Sequence, residues 1–566
     1  MGAQDTMGGI RAVPAGSTGS LTQRVLDRLA MWDAKVRTRW PFAAIVGPDV
    51  EPPTMAGNST RLLVRPAILG FVAITAITLG VSQQRSPFAL KLPGAWFFGV
   101  PASGAQPSSH DLFLGLVAVY GGLLLLLRVW YGLIRTLTRV HDVPVRKLAA
   151  VAGLWIIPLL VAPPLFSRDV YSYAAQGEMM SHHISPYHYG PGVLGAATSV
   201  TLVDPLWLNT PAPYGPLFME ADGLVTSASA HHELPDLVLL RLLALGGVGL
   251  IALAIPSLAR SLGRDPAHAF TLAVLNPVTI LHLVGGAHND ALMLGLLAVG
   301  LALSRRGRPV AGIVVCALAA AVKVPAAIGI LYIAWEWMGP GIPWRARVRP
   351  VVTAGLLSGA VMGALSLVTG LGWSWVMNLA TPGTVRSWVA PATGAGILLT
   401  DVAHLVHIGV PLHDMLSLTR LVGLGVAAGV GIWLLTRVER IGTLRAMGLT
   451  LLLVVALGPV VQPWYLSWGL VLLAPVATGR VRTLIIGLSV ASAFIGLPGA
   501  RQLVIDLLQA NPLTVAMALL ACLAILTVPL TPFDREQVLP GWRRRRGPGP
   551  SSLDDEPPVE LDLAST

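Results

Sequence analysis

Long apolar runs broken by short polar ones dominate the chain from residue 64 to residue 531. A helix needs about 20 mostly apolar residues to cross a bilayer, fewer where it packs among other helices. On that measure candidate spans fall at 64–82, 112–134, 148–166, 237–259, 268–286, 289–304, 309–322, 325–338, 350–371, 417–436, 446–460, 464–479, 482–498 and 512–531. The pattern predicts an all-α polytopic membrane protein, a bundle of about 14 transmembrane helices. Two connecting segments, 167–236 and 372–416, are long and rich in Pro, Gly, Trp and Tyr. Their short apolar stretches are expected to lie flat as interfacial helices capping the bundle.

The polar punctuation is asymmetric. "RTLTRVHDVPVRK" (135–147), "RSLGR" (260–264), "RRGR" (305–308), "RARVR" (345–349), "RVERIGTLR" (437–445) and "GRVR" (479–482) all fall in alternate loops. The excess of Lys and Arg assigns those loops, and both termini, to the cytoplasm. The opposite face is acid-rich: between Asp169 and Leu240 there is no Lys or Arg, while Asp169, Glu178, Asp204, Glu220, Asp222, Glu233 and Asp236 are all present. Residues 1–63 read as a disordered cytoplasmic leader with no signal peptide, and 532–566 as a disordered cytoplasmic tail whose Arg543–Arg546 cluster faces anionic headgroups.

Composition agrees with this division. The 566 residues are 54% hydrophobic and 12% charged, with a mean hydropathy of +0.69. A soluble domain carries roughly 25% charged residues. The net charge of +11 is spread over short inner loops and tails, which excludes a nucleic-acid surface as its main cause. Cys316 and Cys522, each inside an apolar run, read as small buried hydrophobes and not as a disulfide.

Candidate chemistry gathers on the acid-rich face. In "FSRDVYSYAAQGEMM" (166–180), a helix starting near Ser167 places Asp169, Tyr173 and Gln176 on one stripe, with a carboxylate favoured at the helix start. An ordinary N-cap with Arg168 snorkelling to headgroups accounts for the same residues equally well. "SPYHYGP" and "LWLNTPAPYGPLF" present Tyr187, Trp207 and Tyr214 on rigid turns suited to stacking on sugar rings, although an aromatic belt explains Trp207 too. "GGAHNDALML" opens a helix with His288, Asn289 and Asp290, residues that either cap it or present donors to an anion. Lys323 lies between two apolar runs, and ionisable residues placed there are functional by default. Arg386 is the sole Lys or Arg between Arg349 and Arg420, so Lys323 and Arg386 read as a phosphate clamp. "VVQPWYLSW" puts Gln462, Trp464 and Tyr465 at a Pro-broken junction of the kind tolerated along a cavity.

One carboxylate, several cations and sugar-stacking aromatics fit transfer of a sugar from a lipid-linked phosphate to a hydroxyl. Asp169 is the expected base, with Lys323, Arg386 and Arg168 facing the departing phosphate. No glycine loop for a nucleotide appears, and neither the adjacent histidine pairs His182/His183 and His231/His232 nor any other group makes a persuasive metal site. Whether a divalent cation takes part stays open. The residues themselves do not read the sugar, which leaves mannose, arabinose and glucose donors; a lipid-linked-sugar flippase is the alternative of another class. A flippase should bury charges along a path through several helices, whereas these polar residues gather at one face.

"FSRDVYSYAAQG", "SPYHYGP", "TPAPYGPLF", "GGAHNDALMLGL", "TVRSWVAPAT" and "VVQPWYLSW" occur in an order that resembles the actinobacterial polyprenol-phosphomannose-dependent α-(1→6)-mannopyranosyltransferases, the MptA/MptB group, over roughly 64–530. "VRSW" and "VVQPWY" look nearer the MptB branch. The resemblance implies a GT-C-type transmembrane catalytic domain over 64–531 in the plasma membrane of an actinobacterium, with its site on the extracytoplasmic face. It further implies a polyprenyl-phosphate mannose donor, a mannoside or glycolipid acceptor, α-(1→6) linkage into a lipomannan-type backbone, and inversion. It places the base at Asp169, the donor phosphate at Lys323, Arg386, Arg168, His288 and Asn289, and sugar or acceptor at Tyr173, Gln176, Tyr187, Trp207, Tyr214, Gln462, Trp464 and Tyr465. The second acid of the GT-C pattern is not found beside Asp169, where Arg168 stands instead.

Overall fold

The structure, a computed structural model, describes residues 59–82, 109–140, 142–494 and scattered positions between 497 and 525. Most of the leader, the tail, most of the 512–531 span and Cys522 lie outside the described residues. Within them the chain is helical and contains no β-strand.

The helices are α1 (Ser59–Ser82), α2 (Ser109–Leu137), α3 (Val145–Leu160), α4 (Asp169–Ser181), α5 (Pro216–Ala228), α6 (Glu233–Ser261), α7 (Pro266–Ala273), α8 (Asp290–Arg305), α9 (Pro309–Val322), α10 (Ala327–Glu336), α11 (Trp344–Val368), α12 (Pro391–Leu405), α13 (Leu412–Thr436), α14 (Thr443–Leu457), α15 (Ser467–Leu473) and α16 (Gly479–Phe494). Five of them, α1, α2, α6, α11 and α13, are individually long and apolar enough to cross a membrane. A sixth span arises if the π-helical turn Thr279–Gly285 and α8, bent by 113° at their junction, are taken together. Among the described residues five or six spans thus meet the length and apolarity that a crossing needs, against the expected bundle of about 14. Many of the short apolar runs do fold as helices, but prolines and polar residues cut them below a bilayer's length. The 268–286 run, for example, breaks at Asn276-Pro277, where Pro277 has no N–H to donate. The Asn276 side chain takes over that role, accepting from Val278 N at 2.9 Å and donating to Leu272 O at 3.0 Å and Ser489 Oγ at 2.8 Å. The 148–166 run ends as a helix at Leu160 and continues as non-helical chain through Pro163-Pro164.

α8 packs closely against α6 on one side and α9 on the other. A Cβ added to Gly247 would sit 2.4 Å from the Ala291 carbonyl carbon, and one on Gly295 2.4 Å from Gly247 O. Only glycine lets these two backbones touch, the small-residue packing that drives helix association in lipid. Cys316 is fully buried against this seam as a free thiol. By contrast α11 and α13 turn most of their apolar side chains outward. The segments 167–236 and 372–416 are largely ordered, as α4, α5, α12 and short helical turns between them.

Candidate active site

The α3–α4 connection and the bent π-turn–α8 junction each carry a residue in the left-handed region just before their polar residues. Phe166 has φ 60° and precedes Ser167-Arg168-Asp169; Ala287 has φ 53° and precedes His288-Asn289-Asp290. For residues with a side chain such backbone is uncommon and is held by its surroundings. Asp169 opens α4, its N–H donating to Ser167 Oγ at 3.1 Å. A cavity of about 440 Å³ lies against this helix start. Arg168, Asp169 and Gln176 line one wall; Trp207, Tyr214 and Asp204 line a second; Gln462, Trp464 and Tyr465 line a third. Thr381 and Val385 contribute from the segment before α12.

Beneath the aromatic wall lies a buried charge pair. Lys323, between α9 and α10, donates to Asp290 Oδ2 at 2.8 Å and reaches Asn289 Oδ1 at 3.5 Å. Trp468 Nε1 donates to the other carboxylate oxygen at 2.5 Å. The ammonium sits over the rings of Tyr465 at 4.6 Å, Tyr214 at 5.6 Å and Trp468 at 5.7 Å, a cation–π cage. Gly215 fixes Tyr214 over this lysine: its N–H donates to Val322 O at 3.1 Å, and any Cβ there would lie 2.2 Å from Ala321 O. His288 is fully buried, its ring flat on Trp464 at 3.9 Å between centroids and its Nδ1 3.6 Å from Asp169 Oδ2.

Electrostatically, burial pushes the Asp169 carboxyl up to about 6, against the downward pull of Lys323 and the Ser167 hydroxyl; Asp290 and Asp204 add smaller upward pushes. A carboxylate that takes a proton in the physiological range is what general-base chemistry needs.

Several expectations need correction. Arg386 is exposed, does not line the cavity and stands near Arg420, so it forms no clamp with Lys323. Lys323 itself is engaged by Asp290 instead of open to the cavity. His288, stacked on Trp464, and Asn289, beside Lys323, are buried and do not line it either. Tyr173 is packed edge-on against Tyr214 (5.4 Å) and Phe218 (5.1 Å), and Tyr187 is buried, so neither is a stacking platform on the cavity surface. Asp204 lines the same cavity as Asp169, and Asp290, paired with Lys323, lies close enough to add to the field at Asp169. His182 and His231, drawn from separate histidine pairs, meet across Glu178 at 3.0 and 2.8 Å. Among the described residues no group of three His, Cys, Asp or Glu is arranged to hold a metal ion.

A family model described as "Alpha-(1->6)-mannopyranosyltransferase, N-terminal domain" matches residues 67–339, and one described as "MptB C-terminal domain" matches 392–527. The chain belongs to the α-(1→6)-mannopyranosyltransferase family. It is therefore an enzyme, a membrane glycosyltransferase. It is 35% identical to alpha-(1->6)-mannopyranosyltransferase A of Mycobacterium tuberculosis, over 73% of this chain and 81% of that protein. It is 37% identical to a probable alpha-(1->6)-mannopyranosyltransferase of Mycolicibacterium smegmatis, over 57% of this chain and 64% of the relative. With alpha-(1->6)-mannopyranosyltransferase B of Corynebacterium glutamicum the identity is 31%, over 64% of each chain. No solved structure matches. The cavity, with Asp169 and Arg168 at its wall, lies against segments inside the first matched region and is closed by "VVQPWY" from the second.

Proposed function

We propose that this member of the family moves mannose from polyprenyl-phosphate mannose to the 6-hydroxyl of a mannoside or glycolipid acceptor, extending a lipomannan-type α-(1→6) backbone at the extracytoplasmic face. The observation that carries this reading is Asp169: a carboxylate at a helix start, at the wall of a cavity that also presents Arg168 and the Trp207, Tyr214, Trp464 and Tyr465 rings. In the step, the acceptor oxygen attacks the anomeric carbon as its proton passes to Asp169. The bond from that carbon to the phosphate oxygen breaks, and polyprenyl phosphate leaves with the electron pair. Attack opposite the leaving group inverts the anomeric carbon. Arg168, beside the base, meets the departing phosphate through charge-assisted hydrogen bonds. Lys323 acts on the same charge through its field, from behind Tyr465 and Tyr214. Arg386, exposed outside the cavity, draws the lipid phosphate toward it. Trp207, Tyr214, Trp464, Tyr465 and the amides of Gln176 and Gln462 hold the sugars.

The deciding experiment is transfer by the purified enzyme from synthetic polyprenyl-phosphate mannose, compared with the matching glucose and arabinose donors, with linkage analysis of the product. Mannose-specific formation of an inverted 1→6 product is expected. Preference for another donor would remove the substrate assignment.

A further inference from the structure

Arg241 stands in the middle of the apolar run "VLLRLLALGG" of α6, two per cent exposed. A charge there is costly unless something fixes it. Its Nη1 donates to Leu159 O at 2.5 Å and to Ala162 O at 2.6 Å, and its Nη2 to Gly285 O at 3.3 Å. The first two carbonyls belong to the end of α3, where the chain leaves the helix for Phe166-Ser167-Arg168-Asp169. The third closes the π-turn, where the chain leaves for Ala287-His288-Asn289-Asp290. Leu165 N donates to the same Gly285 O at 3.0 Å, so both site-bearing turns converge on one carbonyl.

Both turns hold a left-handed residue, Phe166 and Ala287, immediately before the residues they present. Such backbone persists only where its surroundings over-determine it. The carbonyls that the fork grips are those freed where the α3 and π-helical hydrogen bonding stops. A planar fork reaches three carbonyls of two segments at once; a lysine ammonium is a point donor that does not reproduce this.

We infer that Arg241 is a positioning residue: its guanidinium ties the α3–α4 turn to the π-turn–α8 junction and so sets Asp169 against His288 and the Lys323–Asp290 pair. This rests on the reading of Asp169 as the base. A displacement of the base by a fraction of an ångström costs catalysis while leaving the donor's contacts with the rest of the cavity in place.

The test compares Arg241→Lys and Gly285→Ala with the intact enzyme in detergent or nanodiscs, using polyprenyl-phosphate mannose. Gly285→Ala perturbs the same junction from its other side, because the new Cβ would lie 2.8 Å from Leu165 Cδ1, the end of a flexible side chain. Both variants are expected to lose on the order of 10²-fold in kcat with donor KM within about twofold. In both, the acid limb of the kcat/KM profile should move below its intact position, because a loosened turn admits water to Asp169. A merely structural arginine lowers the active fraction without moving that limb, and an unmoved limb in the folded variants overturns the inference. Should Arg241→Lys fail to fold, Gly285→Ala decides alone. Asp169→Asn runs beside them: if it keeps full transfer, the base assignment fails; if it is inactive while both variants behave like the intact enzyme, only the role of Arg241 fails.

Discussion

His288 Nδ1 lies 3.6 Å from Asp169 Oδ2, with the imidazole stacked face to face on Trp464. The carboxylate thus has its hydroxyl-side freedom in the cavity and an aromatic nitrogen at its back. Exchanging His288 for Phe keeps the stack and removes the nitrogen. We expect His288→Phe to fold normally and to lose less than about tenfold in kcat, because a contact at 3.6 Å lies outside hydrogen-bond geometry and is worth less than the ~1 kcal/mol of a full bond. Circular dichroism and steady-state kinetics check the two halves of that statement.

Asp169→Asn should abolish transfer, by about 10²–10⁴-fold, with expression and melting behaviour preserved. In the intact enzyme the base must be ionised, and its carboxyl is raised to about 6. Activity is therefore fully present above that pH and falls about tenfold per unit below it. A kcat/KM profile with no acid limb near 6 would contradict the assignment.

Lys323 separates two readings sharply. As a direct phosphate ligand, its loss would raise donor KM alone. As the partner of Asp290 it also holds the fold, because breaking a buried pair strands a charge at a cost of about 3–5 kcal/mol. We expect Lys323→Met to lower the melting temperature, with much of the loss restored in Lys323→Met/Asp290→Asn. Lys323 also pulls the Asp169 carboxyl down, so the acid limb in Lys323→Met should move above its intact position, opposite to the shift expected for Arg241→Lys.

Arg168 and Arg386 should differ in kind. Arg168 lines the cavity beside Asp169, and removing a hydrogen bond to a charged group costs about 1.5–3 kcal/mol, so Arg168→Ala should raise donor KM by roughly 10–100-fold. Arg386→Ala should change it less than about threefold, and this small effect should vanish at high salt as exposed charges are screened.

Asp222 in α5 is buried beneath Gly177, neither carboxyl oxygen has a hydrogen-bond partner among the described residues, and burial followed by the charge of Asp236 pushes its carboxyl well above the usual carboxylate range. The folded state keeps the proton that the unfolded state releases above about 4. Stability is thus lost as pH rises beyond that value. Asp222→Asn should melt higher than the intact protein by a few °C at about pH 8, with the gap closing in acid. Differential scanning fluorimetry at the two pH values tests it.

Much of the site was legible because intramembrane polarity is costly. Arg168, Asp169, Gln176, Trp207, Tyr214, Gln462, Trp464 and Tyr465 each interrupt an apolar or turn pattern, and the fold brings all eight to one cavity. The pairing of Lys323 with Asp290 was not legible, because 33 residues separate them and no local period links the two. Arg241 carries a signal in the sequence: it is a charge within the α6 span, lying just past the acid-rich stretch that ends at Leu240. Tyr173 was placed on the right helix face, but helix spacing alone does not tell an aromatic that lines a cavity from one that supports the ring in front of it. Hydropathy found the apolar runs but not the bounds of the helices in them, because it registers apolar residues without registering where Asn276-Pro277 or Pro163-Pro164 end a helix.

The segment before α12 is fastened at both ends. Asn378 donates to Tyr187 O at 3.0 Å and Ala212 O at 3.2 Å, while Arg420 donates to Gly383 O at 2.6 Å and Val385 O at 2.8 Å. At about 0.5–1.5 kcal/mol each, lifting this strap forfeits roughly 2–6 kcal/mol. The Thr381 and Val385 side of the chamber is therefore a fixed jamb, tied by Asn378 to the turns at Tyr187 and Ala212 and by Arg420 to α13.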